Sequence, residues 1–243
     1  MHSDGFFDED MAERYDELSK DTFADSVVTP MVAFLIGLAG NGRALELGVG
    51  TGRIAIPLAR RVPVHGIDLS EAMVKRMRAK PGSEDINVVI GDFASARVPG
   101  TFKVAYLVAN TIMNLTTQEA QVACFRNVAA HLEPGGCFVI EVSVPDLQRL
   151  PSGEKFRPFH VTVERLGFEE YVLADQSLTS HHFVQSEGTW EQFSIPFRYV
   201  WPSELDLMAE LAGMKLRERW SGWNREPFTD ESRKLVAVWE KSQ

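Results

Sequence analysis

The sequence predicts an α/β protein: a doubly wound, mostly parallel sheet with helices on both faces. Three observations lead there. Short apolar runs alternate with stretches of helical periodicity from about residue 43 to residue 142. A glycine-rich turn, Gly48-Val49-Gly50-Thr51-Gly52, joins the first run to the helical stretch after it. Glu46, Asp68, Asp92 and Asn110 fall at the C-terminal ends of successive runs, where such sheets hold their ligands.

Taken in order, residues 8–20 place Met11, Ala12, Tyr15 and Leu18 at helical spacing, so one face packs and the charged face meets water. A second, apolar helix is expected from Asp25 to Leu38, with Pro30 in its first turns. The alternating body then reads as strand 43–47, helix 52–60, strand 62–67, helix 70–80, strands 86–91 and 103–108, helix 117–132 and strand 137–142. Ser70 and Glu71 are start signals for their helix, and Pro134-Gly135-Gly136 ends the helix before it. From Pro145 to Tyr199 the alternation stops. Thr162–Arg165, Tyr171–Asp175 and Phe193–Val200 mix polar and aromatic residues as antiparallel strands do, while 146–158 reads as a mobile connection. Helix 203–212, stopped by Gly213, and strands 214–220 and 234–240 complete the chain. One domain is expected over 1–243: a helical cap (1–40), the alternating body, an inserted antiparallel lid (146–200) and a C-terminal helix and hairpin (201–243).

Composition narrows the partners. The net charge of −9 argues against nucleic acid, because counterion release at phosphates needs a Lys/Arg surface. Cys124 and Cys137 read as core thiols of a reducing compartment. The start lacks a basic and apolar signal, and the longest apolar stretch, 27–40, is too short to span a bilayer; a cytoplasmic protein away from membranes is expected. No His–carboxylate spacing points to a metal.

The glycine turn sets the function. Backbone without Cβ takes positive φ and lets a ligand approach the main chain, and the helix after it offers free N–H groups. Asp68 lies about 20 residues beyond, where an acid can accept hydrogen bonds from a ribose. Both dinucleotide and S-adenosylmethionine sites use such an acid. The dinucleotide fingerprint, however, needs a third glycine where this chain has Arg53.

Glu46-Leu-Gly-Val-Gly-Thr-Gly, Gly66-Ile-Asp68-Leu-Ser, Gly91-Asp92-Phe93 and Leu132-Glu-Pro-Gly-Gly136 together resemble the landmarks of class I S-adenosylmethionine-dependent methyltransferases. The likeness covers about residues 8–145 and is nearest in style to small-molecule enzymes such as aminosugar N-methyltransferases. It implies a seven-stranded Rossmann-like sheet, S-adenosyl-L-methionine as cofactor, and N- or O-methylation of a small-molecule acceptor by a monomer or homodimer. It also implies cofactor contacts at Glu46, Gly48, Gly50, Thr51, Gly52, Arg53, Asp68, Leu69, Asp92, Phe93 and Asn110. In that pattern Asp68 meets the ribose, Asp92 the adenine amino group, and Leu69 and Phe93 border the ring. Ala12-Glu-Arg-Tyr15-Asp16 resembles a segment that folds over the cofactor and places its tyrosine near the methyl group. In related aminosugar enzymes a histidine often stands where this chain has Asn114, which cannot act as a base. Tyr15 and Asn114 are therefore expected to position the acceptor, with any base coming from the lid, which holds His160, His181 and His182, or from water. Trp190, Trp201, Trp220 and Trp223 are candidates for a substrate pocket or for plain core. The competing functions are a non-catalytic binding module and a nicotinamide oxidoreductase.

Overall fold

A computed structural model describes residues 7–186 and 188–242; residues 1–6, part of the start read above for targeting signals, lie outside the described residues. The chain runs α1 (Glu9–Leu18), α2 (Asp25–Ala39), β1 (Ala44–Leu47), α3 (Ala55–Ala59), β2 (Val64–Asp68), α4 (Glu71–Arg78), β3 (Asn87–Ile90), β4 (Phe102–Leu107), α5 (Gln118–His131) and β5 (Leu132–Ser143). Four strands follow, β6 (Phe156–Val161), β7 (Arg165–Val172), β8 (Ser177–Ser186) and β9 (Thr189–Arg198). Then come α6 (Pro202–Leu211), β10 (Met214–Trp220) and β11 (Lys234–Lys241).

The main sheet has the order β10-β11-β5-β4-β1-β2-β3 and is parallel except for β11, which runs against both neighbours. Its central strands are buried on both faces, which is why they read as continuous apolar runs rather than alternating ones. In β4, Ala105 and Leu107 face one core with α5 and α6, while Val104 and Tyr106 face the other with α2 and α3. No helix among the described residues is long and apolar enough to cross a membrane.

The second sheet is antiparallel, in the order β6-β7-β8-β9. The sequence reading needs correction here. Residues 162–164 turn the chain from β6 into β7, closed by Thr162 N on Arg165 O at 2.8 Å and by Arg165 N on Thr162 Oγ1 at 3.0 Å. Strand β7 ends at Val172, and 173–176 turns the chain with Gln176 at φ +61°. Strand β6 takes up the last three residues of the 146–158 connection. Asp146 is buried and binds Arg233 at 2.7 Å and Arg157 at 3.2 Å, and β6 starts at Phe156. Long-range charge pairing, invisible locally, holds it. In the main sheet β5 begins at Leu132, so Pro134–Gly136 form its irregular start, and α3 begins at Ala55 because 48–52 is spent on the glycine turn. The four tryptophans line no ligand cavity at the first glycine turn. Trp190 and Trp201 are surface residues, Trp220 donates to Glu218, and Trp223 packs on Phe34.

A buried polar cluster joins the inserted sheet to the body. Arg198, at the end of β9 and 4% exposed, donates to Gln121 of α5 at 2.5 Å and to Glu204 of α6 at 2.7 Å. Gln176 also donates to Glu204, at 2.8 Å. Burial pushes the Glu204 carboxyl up, but the bonds from Arg198 and Gln176 outweigh it and hold the group below the ordinary range. A depressed carboxyl contributes stability above its unfolded pKa and loses it as pH falls through the folded value. Glu204→Gln should therefore lower stability at pH 7 by about 3 kcal/mol, leaving Arg198 uncompensated. Thermal unfolding followed from pH 7 to about 3.5 should show that deficit shrinking below the carboxylate range; a deficit independent of pH would assign the loss to packing instead.

Candidate functional site

The glycine turn is shaped by its own backbone and by what it grips. Gly48, Gly50 and Gly52 all have positive φ, between +54° and +81°. A Cβ on Gly48 would sit 2.7 Å from Thr111 Cγ2, and one on Gly52 would sit 2.6 Å from Met77 Cγ. Side chains are thus excluded by both conformation and space.

Asp68, the last residue of β2, is 8% exposed and accepts from Gly50 N at 2.6 Å and from Ser70 N at 2.8 Å. Ser70 Oγ accepts from Met73 N, capping α4, and donates to the carbonyl of Phe7 at 2.5 Å. The segment before α1 is thereby seated on the start of α4. Further bonds strap α1 to the site: Thr51 Oγ1 donates to Asp16 at 2.5 Å, Asp16 pairs with Lys80, and Lys80 donates to Thr51 O at 2.9 Å. Of α1 only Ala12 is buried, so polar contacts, including Lys75 on Glu9 at 2.5 Å, hold the helix in place.

The turn after β4 forms the opposite wall. Ala109 and Asn110 are both left-handed, at φ +56° and +64°, a conformation costly for Ala and tolerated by Asn. Contacts to β5 hold it: Ala109 N donates to Glu141 Oε2 at 3.0 Å, and Asn110 Oδ1 accepts from Ser143 N at 2.6 Å. The 3₁₀ turn 111–114 then brings Thr111 and Asn114 to the cavity. On the third side Asp92 Oδ1 accepts from Ala94 N at 2.8 Å, and Asn127 donates to the carbonyls of Phe93 and Ala96, both at 2.9 Å.

These walls enclose a cavity of about 220 Å³. Of the residues expected from sequence it gathers Tyr15, Gly48, Gly50, Asp68, Leu69, Asp92, Phe93 and Asn114. Glu46, Thr51, Gly52, Arg53 and Asn110 do not line it. Thr51 and Asn110 spend their side chains on Asp16 and Ser143, and Arg53 donates to Thr22 O at 3.1 Å behind the loop. Thr111 and Leu115, from the 109–115 segment expected to reach the site, also line the cavity, as do Phe7 and Met73, which were not foreseen. Met73 stands one helical turn past Asp68, and Thr111 and Leu115 flank Asn114, a positional signal the sequence did carry. Phe7 had none, since contacts with distant residues place it: its carbonyl accepts from Ser70 Oγ and its ring meets Tyr15 edge-on at 6.1 Å. Burial keeps the Tyr15 phenol protonated well beyond neutral pH. Among the described residues no group of His, Cys, Asp and Glu is placed to hold a metal.

Comparisons with known proteins agree with this geometry. A family model described as a methyltransferase domain matches residues 44–136. The chain is 33% identical to the solved CcbJ methyltransferase of Streptomyces caelestis, with all of both chains covered and a TM-score of 0.87. It is 27% identical to the cypemycin N-terminal methyltransferase of a Streptomyces species, covering 99% of this chain and 100% of that one. The amino pentose methyltransferase CalS10 of Micromonospora echinaspora, solved with S-adenosylmethionine bound, shares the fold at a TM-score of 0.68 and 22% identity, over 90% of this chain and 92% of that one.

Beneath the loop, Glu46 is fully enclosed and accepts from Tyr106 Oη at 3.0 Å. Burial raises its carboxyl to about 8, against smaller opposing effects of Tyr106 and Arg53. A raised folded-state pKa means stability that is complete below the unfolded value and lost as pH rises through the folded one. Wild-type melting temperature should therefore fall as pH rises from about 5 to 9. Glu46→Gln, which cannot ionise, should flatten that slope. Parallel melting curves for the two proteins would show that Glu46 does not titrate in this window.

Proposed function

Because this chain belongs to the class I S-adenosylmethionine-dependent methyltransferases, we propose that the cavity between the glycine turn, α1 and the 111–114 turn is its active site and that a small-molecule amine is the methyl acceptor. The observation that carries this reading is the convergence in one cavity of two acids from strand ends, Asp68 and Asp92, with Tyr15 and Asn114 on another wall. Two of the similar enzymes support an amine acceptor by their names, one an N-terminal methyltransferase of cypemycin and the other an amino pentose methyltransferase. The net charge of −9 supports an acceptor other than nucleic acid, and two buried free cysteines support a cytoplasmic setting.

The residues present fit the cofactor. Gly48 and Gly50 leave a cradle that side chains would fill, two carboxylates are available at the nucleoside end, and Leu69, Met73 and Phe93 supply apolar walls. Asp68 would hold the ribose hydroxyls and Asp92 the adenine amino group. Gly48 and Gly50 would lie against the chain toward the sulfur, while Glu46, Thr51, Gly52, Arg53 and Asn110 shape the loop from behind. The bound cofactor supplies a methyl group already activated by a positively charged sulfur, so strong acid–base machinery is optional. What the protein contributes is alignment and exclusion of water. Tyr15, protonated, and Asn114 orient the acceptor by hydrogen bonds, and the proton released by the amine passes to the inserted sheet or to water. The helical cap and the inserted sheet act as the two covers.

Two experiments test this. Asp68→Ala should weaken calorimetric binding of S-adenosylhomocysteine by about 1.5–3 kcal/mol or more, since it removes a charged acceptor and also frees Gly50 N. Unchanged affinity in a folded variant would remove the site from this cavity. With the acceptor in hand, Tyr15→Phe and Asn114→Ala should each lower kcat about ten- to a hundredfold while S-adenosylhomocysteine affinity stays nearly constant. Full activity in both would place the acceptor elsewhere.

A further inference from the structure

A second groove lies between α1 and the face of the inserted sheet that turns toward it. Its walls are mixed: Met11 and Leu18 from α1 and Val184, Phe193 and Ile195 from β8 and β9 are apolar, while Asp8, Asp10, Arg14, Arg165 and Glu191 are charged. Cross-strand register sets Arg165, Val184 and Glu191 in one row on that face, with Gly167, His182 and Phe193 in the next. Arg165 thus stands beside the apolar wall and lines the groove.

Its electrostatic situation differs from that of the cations around it. Arg157 and Arg233 bind Asp146, Arg198 binds Glu204, and Arg14 pairs with Glu191 at the rim. Arg165 forms no ion pair among the described residues. The one polar contact of its side chain among the described residues is Nη2 to His182 Nδ1 at 3.5 Å, and its Nε is buried without an acceptor there. His182 cannot compensate the charge, since an imidazole is neutral or positive; burial first, and Arg165 itself, push its pKa down to about 4, so it stays neutral and adds no second cation. Asp10 lines the same groove from α1 and makes no ion pair with Arg165 either. In a chain with 34 acids and 25 basic residues, a half-buried guanidinium left without a carboxylate marks a place where one is supplied from outside.

We propose that this groove holds the body of the methyl acceptor and that Arg165 binds a carboxylate carried by the acceptor, remote from the nitrogen that is methylated. The inference rests on the active-site reading above. Helix α1 is the shared wall: Tyr15 faces the cavity, while Met11, Arg14 and Leu18 face the groove. Strand β9 packs against the turn that carries Asn114, which brings the sheet face next to the acceptor-positioning pair. A planar guanidinium matches a carboxylate by paired hydrogen bonds, and apolar walls strengthen that attraction. Arg14 is paired with Glu191, so Arg165 is the groove's guanidinium without an ion pair among the described residues, and with Asp8 and Asp10 nearby a single negative charge is easier to accommodate there than a phosphate dianion.

The test uses the full chain saturated with S-adenosylhomocysteine. The probes are alanyl and prolyl dipeptides of phenylalanine and leucine, each as the free acid and as the C-terminal amide, titrated by calorimetry. The free acids should bind about tenfold or more tightly than their amides. Arg165→Gln should erase that preference and Arg165→Lys should keep part of it, with S-adenosylhomocysteine affinity unchanged in both. Equal binding of acid and amide by the wild type, no binding of either, or a preference that survives Arg165→Gln would overturn the proposal. A variant that only loses thermal stability at an unchanged acid-to-amide ratio would do the same. Failure of the wild type to bind S-adenosylhomocysteine would instead overturn the active-site reading itself.

Discussion

The carboxylate of Asp68 is the point from which the cavity is built. Buried at the end of β2, it must find hydrogen-bond partners, and the nearest donors are the backbone N–H groups of Gly50 and Ser70. Charge-assisted bonds of this kind contribute about 1.5–3 kcal/mol each. Meeting that need fixes the curvature of the glycine turn and the start of α4 together. Ser70, placed by the same bond, then caps α4 and receives the chain at Phe7. Three walls of the site therefore depend on one buried charge and its two amides.

The remaining walls are held by different physics. The turn after β4 is forced through two left-handed residues, and contacts from Glu141 and Ser143 on β5 stabilise it there. Helix α1 buries little and is held by exposed or half-exposed polar bonds to the glycine turn and α4. Elements with few buried apolar contacts open at low free-energy cost, which suits the role of a cover proposed for α1. Asp68, by contrast, ends β2, a strand inside the main sheet, while Asp92 follows the edge strand β3.

The inserted sheet changes character along its strands. Near the body, Tyr171, Leu178 and Phe197 join the main core and Arg198 closes a buried polar cluster with α5 and α6. Farther out the same face carries His182 stacked on Phe193 at 4.7 Å, and then Arg165. One end is thus fixed by burial and charge pairing, while the other presents an apolar surface and an unpaired cation to α1. That gradient suits the cover role proposed for the inserted sheet, with a rooted end and a face open toward α1.

The sequence by itself determined the α/β alternation, the glycine turn and the acids at the strand ends. Each of these depends on local periodicity, on φ values only glycine takes easily, or on spacing along the chain, as with Leu45-Glu46-Leu47-Gly48 and Asp68 twenty residues on. Eight expected residues consequently meet in one cavity. Which side of the loop a residue serves was decided only by the tertiary structure. Thr51 and Arg53 sit within the motif yet turn to Asp16 and Thr22, and Asn110 turns to Ser143, because partners from distant segments compete for their polar atoms. The strands of the insertion were misplaced by a few residues for a related reason: hairpin register is set by pairing across strands, not by composition within one. The isolation of Arg165 belongs wholly to the tertiary structure, since a lone guanidinium is defined by which carboxylates fail to reach it, and no local pattern encodes that.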